Sequence, residues 1–193
     1  MMENGTLEVL EDRSFSSDAM VSYDLFVAEQ NSSAGGSGFI TTHIPDSGSQ
    51  SDDSAIGGLE FKSAAMISNL TVKGDASDGA EIPLFVYIRF TGQEQSTAEL
   101  TFELKSGSTI VATTTASLDD PCQDGGIFGS SCAYQYRPYS MDVSSTLPGG
   151  DRGFIVQSGK QLTLRITAEA NCQGGGVPGQ DGDDCDVRVA YHN

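Results

Sequence analysis

The sequence contains no tryptophan, two histidines, and ten lysines and arginines among its 193 residues. Nucleic acids and anionic membrane surfaces bind clusters of lysine and arginine, and no basic run is present, so we expect neither as a partner. No apolar stretch approaches the roughly 20 residues that cross a bilayer, so we expect no membrane insertion within this chain. The first residues also lack the basic and apolar regions of a signal peptide.

Sequence signatures of catalysis are absent as well. There is no G-x-S-x-G elbow, no phosphate-binding loop and no H-x-x-x-H spacing, and His43 and His192 share no motif. A carboxylate pair for glycoside hydrolysis is defined by its separation in space, which the sequence does not reveal. We therefore predict that the chain is not an enzyme. A jelly-roll enzyme with two inward carboxylates is the alternative.

Helical periodicity is nearly absent, and alternation of apolar and polar residues takes its place. Apolar residues recur at every second position in 98–104, 162–168 and 186–191, which places them on one face of a strand. Residues 84–90 (LFVYIRF) predict a central strand that is covered on both faces, or partly shielded on the second. With weaker segments and Gly/Ser/Pro turns, this predicts about eight to ten strands in an all-β fold, an antiparallel β-sandwich of jelly-roll or Ig-like type. The weaker segments are 21–27, 39–42, 66–72, 109–117, 141–145 and 154–157.

Residues 1–193 are interpreted as one domain, because a single all-β unit of this length can bury a sizeable core. The region of about 30–58 has a different character. It contains NSSAGGSG and PDSGSQSDDS, which are polar and of low complexity. We predict polar surface loops there, around a strand at Phe39.

The four cysteines form two local pairs, and each pair brackets a glycine-rich polar segment. Cys122 and Cys132 enclose QDGGIFGSS, and Cys172 and Cys185 enclose QGGGVPGQDGDD. Three pairings are possible; local pairing is favoured because short flexible loops close easily, and four reduced thiols are the alternative. Disulfides persist in oxidising compartments, so local pairing predicts an extracellular or cell-surface location.

Aspartates crowd both cysteine loops in a chain whose formal net charge is −17. Calcium binds six to eight oxygen ligands, and glycines let a loop wrap around an ion, so calcium is the one candidate cofactor. A solvated acidic loop is the alternative, and acidity also keeps a protein soluble. The candidate metal ligands are Asp119, Asp120, Asp124, Asp181, Asp183, Asp184 and Asp186.

A tyrosine cluster in AYQYRPY, residues 133–139, is the candidate ligand-binding site. It consists of Tyr134, Tyr136, Arg137 and Tyr139, and tyrosine and arginine are enriched at interaction hot spots. In an extended backbone Tyr134 and Tyr136 share a face. Together the four side chains predict a flat surface that stacks on a sugar or grips a protein partner; ordinary sheet packing is the alternative.

Threonine-rich alternating strands give the second half of the chain a family resemblance. STIVAT at 108–113, QSGKQLTLRITAEA at 157–170 and DVRVAYHN at 186–193 lie in a stretch, 84–193, that resembles β-sandwich modules of large secreted and cell-surface proteins of marine archaea and bacteria. The resemblance implies a non-catalytic module in adhesion or envelope proteins.

The second cysteine loop has a resemblance of its own. QDGDDCD at 180–186, with Asn171-Cys172 and Val177-Pro178 before it, resembles the calcium loops of thrombospondin type 3 repeats. The resemblance implies calcium binding by the aspartates of this loop.

These observations lead to one expected function and one alternative. We expect an extracellular or cell-surface module for adhesion or for envelope or filament scaffolding, stabilised by calcium, whose partner is a protein or a surface glycan. The alternative is a carbohydrate-binding module, with Tyr134, Tyr136 or Tyr139 on a concave sheet face.

Overall fold

A computed structural model of the chain describes residues 6–11, 21–29, 37–42, 50–73, 81–92, 95–119, 121–122, 132–172 and 185–192. These residues form fourteen β-strands, which confirms the all-β prediction. None of them belongs to a helix that is long and apolar enough to cross a membrane. The strands are β1 (Thr6–Glu11), β2 (Val21–Asp24), β3 (Phe26–Glu29), β4 (Ser37–Thr41), β5 (Gln50–Ser54), β6 (Leu59–Lys62), β7 (Leu70–Lys73), β8 (Glu81–Thr91), β9 (Thr97–Ser106), β10 (Thr109–Leu118), β11 (Gln135–Val143), β12 (Gly153–Val156), β13 (Leu162–Asn171) and β14 (Asp186–His192).

Ten of the strands form one large, mostly antiparallel sheet. Their order is β3-β4-β6-β13-β9-β10-β11-β8-β14-β5. A parallel bridge between His192 of β14 and Ala28 of β3 connects two strands that stand far apart in this order. The sheet therefore curls back on itself as a half-barrel. The other four strands form a smaller sheet in the order β12-β7-β1-β2.

The core is built by the alternating segments and contains side chains of both sheets. Strands β9 and β13 pair over ten positions, and the apolar residues predicted to face inward on both strands are buried. Val72, Phe154 and Val156 of the smaller sheet belong to the same core. Thr163, which the alternation predicts to face water, is buried instead, because it lies on a central strand between Lys62 and Lys105, whose long side chains can cover it.

Strand β8 contains the dense apolar segment 84–90. Val86, Ile88 and Phe90 are buried in the core, while the opposite face of the strand is half-buried. The structure thus shows the second of the two predicted arrangements, a strand whose other face is partly shielded.

The sequence-based prediction misses several short strands, so the predicted number of about eight to ten strands is too low. Strands β1, β5 and β6 were not predicted, and β5 lies inside the region 30–58 that was interpreted as polar loop around one strand. That interpretation is wrong for Gln50–Ser54, which pair with β14 from Ser54–Arg188 to Gln50–His192. A strand with this polar composition is tolerated because it lies at an edge of the sheet. The sandwich or jelly-roll arrangement stays a prediction.

Both predicted local disulfides are present. Cys122 is bonded to Cys132 and Cys172 to Cys185, with Cα–Cα separations of 5.8 and 5.6 Å. The first joins the segment after β10 to the start of β11, and the second joins the end of β13 to the start of β14. Two disulfides indicate an oxidising environment.

Replacing Cys172 and Cys185 together by serine should lower the free energy of unfolding by about 3 kcal/mol. The reason is that a cross-link closing a loop of this length removes conformational freedom from the unfolded chain. Urea unfolding without reductant measures the change, and wild-type protein with reductant is the control. An unfolding midpoint that neither the double substitution nor the reductant moves would contradict the stabilising role.

Candidate functional site

Strand β11 places the residues of the tyrosine cluster on opposite faces of the sheet. It pairs antiparallel with β8, with Tyr136 opposite Tyr87. Because side chains alternate along a strand, Tyr134 and Tyr136 share the outer face, as predicted. Arg137 and Tyr139 lie on the other face, toward the core. The prediction of one flat surface made by all four is therefore wrong, since their numbers differ in parity.

An aromatic surface covers the outer side of β8 and β11. We call it the aromatic face; it consists of Phe85, Tyr87, Tyr134 and Tyr136. The ring centroids of Phe85 and Tyr136 are 5.7 Å apart with planes at 5°, and Tyr87 lies 5.4 Å from Tyr136 at 56°. Tyr136 is 39% exposed. Solvent-accessible rings therefore stand side by side on two paired strands.

A charged network borders the aromatic face and connects it to the edge strand β5. Asp52 is its common acceptor: Arg188 Nη1 donates to Asp52 Oδ1 at 2.8 Å, and Arg89 Nη2 lies 3.8 Å from Asp52 Oδ2. The Tyr134 hydroxyl also donates to Asp52. The guanidinium carbon of Arg89 is 5.1 Å from the centroid of the Tyr134 ring, within the range of cation–π attraction. The network thus ties β5 to β14, β8 and the start of β11.

The predicted calcium ligands fall mostly outside the described residues. Asp186 is described, and its carboxylate accepts hydrogen bonds from Arg188 Nε at 2.9 Å and from the Ser54 hydroxyl. Asp119 is exposed directly after β10. In the described ranges no three His, Cys, Asp or Glu residues come together as a metal site, and calcium binding stays a prediction. The predicted ligands outside these ranges are Asp120, Asp124, Asp181, Asp183 and Asp184.

Burial and hydrogen bonding raise the pKa values of three side chains on β11, β14 and the residue before β11. Burial, and then the hydrogen bond to Asp52, raise the pKa of Tyr134 well above its usual value. Burial also raises the pKa of Tyr139, and the nearby Arg137 opposes this shift. The hydrogen bond to Asp186 raises the pKa of Arg188. Both tyrosine hydroxyls are therefore protonated at neutral pH, and that of Tyr134 donates to Asp52.

A cleft opens where β10 and β11 separate. The two strands pair only at Ala112–Val143 and Thr113–Asp142, and beyond these pairs a cavity of about 320 Å³ lies between them. We call this cavity the cleft. It is lined by Ser117, Leu118 and Asp119 on the β10 side, by Gln135, Arg137, Pro138 and Tyr139 on the β11 side, by Ile88 and Phe90 of β8, and by Cys122 and Ala133.

Sequence reasoning missed the residues that complete the aromatic face and its charged border. The apolar segment 84–90 predicts a strand that contains Phe85 and Tyr87, and their spacing by two places both side chains on one face. Arg89 follows Tyr87 by two residues, so the same alternation places it on the same face. Asp52 and Arg188 gave no local signal, because they come together from positions 136 residues apart.

Comparisons with known proteins find likeness in structure alone. No family model and no curated protein matches the chain. An alpha-amino acid ester hydrolase, labelled with selenomethionine, is similar with a TM-score of 0.50 and 9% identity, over 86% of this chain and 33% of that chain. An aminopeptidase from a marine sediment archaeon, Thaumarchaeota archaeon, gives 0.45 and 6%, over 91% of this chain and 37% of that chain. The chain thus spans about a third of the length of either solved chain, and the first likeness shows a shared β fold.

Replacing Asp52 by alanine should loosen the edge strand. The substitution removes the acceptor of Arg188 and Tyr134, and we expect a loss of about 1–2 kcal/mol in the free energy of unfolding, because these groups are partly exposed. Amide hydrogen exchange should accelerate in β5. Asp142→Ala, at an exposed position of β11, is the matched control and should change stability by less than about 0.5 kcal/mol. Unchanged exchange in β5 would refute the anchoring role.

The raised pKa of Tyr134 predicts a pH dependence of stability. Its folded pKa lies above that of an unfolded tyrosine, about 10, so its contribution is complete below that pH and is lost as the pH rises further. The stability difference between wild type and Tyr134→Phe should therefore be constant near neutral pH and shrink above about pH 10. Urea unfolding over a pH series tests this, and a difference that does not vary with pH would count against it.

Proposed function

We propose that the chain is a non-catalytic module of an extracellular or cell-surface protein, serving adhesion or envelope or filament scaffolding, and that its aromatic face contacts the partner. The observation that carries this proposal is the solvent-accessible aromatic face itself. Exposed clusters of aromatic rings on a soluble protein typically mark interaction sites. Tyrosine and arginine are the residue types that dominate binding energy at such sites.

The construction of the aromatic face supports a binding role. Its rings stand on two paired strands, so little conformational freedom would be lost when a partner binds. The bordering cations Arg89 and Arg188 are close to or paired with Asp52, which leaves an aromatic centre beside a polar rim. This is the usual anatomy of a protein interface.

The two disulfides support the extracellular location, because such bonds persist in oxidising compartments. The two sheets around one core support a module of sandwich or jelly-roll type. Calcium bound by the aspartate-rich cysteine loops would stabilise this module further, and that part of the proposal rests on the loop sequences.

A carbohydrate-binding module is the second candidate, and a specific observation favours it. The rings of Phe85 and Tyr136 are stacked nearly parallel with centroids 5.7 Å apart, and Tyr136 is exposed, so the pair offers an apolar ring surface to solvent. The apolar face of a sugar ring can stack on such a surface, while hydroxyl groups of tyrosine donate hydrogen bonds.

Replacing Tyr136 by alanine should weaken binding at this surface. The wild-type protein is applied to a glycan array, and its self-association is measured by sedimentation. Loss of a hot-spot ring costs about 2 kcal/mol or more, so we expect the affinity to fall at least about 30-fold. Ile155→Ala, on β12 of the smaller sheet, is the matched control, because Ile155 is also 39% exposed.

The outcomes separate the two candidates. Self-association that Tyr136→Ala weakens and Ile155→Ala does not supports scaffolding, and glycan binding with the same pattern supports the second candidate. Absence of both activities, or binding that Tyr136→Ala leaves unchanged, overturns the role of the aromatic face. Turnover of a p-nitrophenyl ester by the purified chain would contradict a non-catalytic module.

A further inference from the structure

We propose that the cleft between β10 and β11 binds an extended peptide segment through backbone hydrogen bonds, with a carboxylate of the peptide placed against Arg137. This site is on the opposite side of β11 from the aromatic face, and the proposal does not depend on the function of that face.

Two strand edges meet the cleft without a strand partner. Strand β10 pairs with β9 along its length, but its other edge pairs with β11 only at Ala112 and Thr113. Strand β11 pairs with β8 from Gln135 to Asp142, and its other edge faces the cleft. Within the described ranges, residues 114–118 and 135–141 therefore each have one edge outside any ladder. Such edges are templates for an added strand.

The sequence itself accounts for the separation of the two strands. Continuing the register of Thr113–Asp142 would place Ser117 opposite Pro138. Proline has no N–H group, so it weakens a ladder at that position. The chain after β10 then turns to β8, where the N–H of Cys122 donates to the carbonyl of Phe90 at 2.9 Å. The cleft is thus held open by local sequence and by the pairing beyond it.

Arg137 gives the cleft a preference for negative charge. Its Nη2 donates to Gln135 Oε1, which orients the guanidinium group. None of the ion pairs among the described residues involves Arg137, although the chain has 27 acidic residues and ten basic ones. Most other described cations have a carboxylate nearby: Lys62, Arg89, Lys105, Arg165 and Arg188. An arginine that pairs with no carboxylate of the described residues is suited to bind one from a ligand, with two parallel hydrogen bonds.

The remaining walls fit an extended chain with apolar side chains. Ile88, Phe90 and Leu118 provide apolar contacts on the inner side of the cleft. The ring centroids of Tyr139 and Phe102 are 5.1 Å apart. Tyr139 also lines the cleft, and its hydroxyl can donate a hydrogen bond to a peptide carbonyl. Asp119 stands on the opposite wall, so an acidic group of the ligand would be repelled there and favoured near Arg137. A strand beside residues 114–118 would be about 17 Å long, or about five residues.

An array of random-sequence hexapeptides with acetylated and amidated ends tests whether the chain binds extended peptides that contain a carboxylate. We expect the bound sequences to share an Asp or Glu between apolar or β-branched residues. Replacing that acid by Asn or Gln should weaken the affinity of a selected peptide at least about ten-fold, as loss of a charge-assisted contact predicts. A second array with free C-termini and no acidic side chains shows whether a terminal carboxylate serves as well.

Protein variants assign the binding to the cleft. Arg137→Gln should weaken the affinity for the selected peptide at least about ten-fold, while Arg152→Gln, an exposed arginine beside β12, should leave it unchanged. Urea unfolding confirms that both variants fold. Bound peptide should slow amide exchange in residues 114–118 or 135–141. No binding on either array, equal affinity in Arg137→Gln, or protection confined to other strands would overturn the proposal.

Discussion

The register between β8 and β11 is the constraint on which both surfaces depend. Eight consecutive pairs, from Gln135–Ile88 to Asp142–Glu81, fix which side chains of the two strands share a face. A slip by one residue would move every side chain of β11 to the opposite face. Tyr136 would then leave the aromatic face, and Arg137 would leave the cleft. The aromatic face and the position of the Arg137 guanidinium group in the cleft are therefore two consequences of one alignment.

Apolar burial on the core side of both strands sets this register. Val86 and Ile88 of β8 and Met141 and Val143 of β11 are buried in the same core, so a slip of β11 would expose two large side chains. Each would cost on the order of 1.5–3 kcal/mol, which is a large share of the stability of a typical domain. The polar contacts of Asp52 are added on the outer face. They secure the edge strand, but the core decides the alignment.

The sequence predicts those parts of the fold and site that depend on local pattern. Alternation over a few residues identifies the buried positions of β9 and β13, and the short loops favour the two disulfides that form. The parity of Tyr134 and Tyr136 likewise predicts their common face. Strand β5 has no apolar alternation, so its sequence does not predict a strand. It forms by pairing with β14, which lies far away in the chain. The cleft depends on where a ladder stops, and strand pairing must be known before that point can be located.

The acidity of the chain explains why its few cations are informative. The chain has a net charge of −17, and within the described ranges five of its lysines and arginines have a carboxylate nearby. Those beside the aromatic face approach or pair with Asp52. That surface therefore presents rings rather than charge, which suits a neutral partner. The cleft differs, because Arg137 is held by an amide and keeps its charge available. The two faces of β11 thus offer different chemistry, and an added strand in the cleft would also restrict the backbone that carries Tyr136.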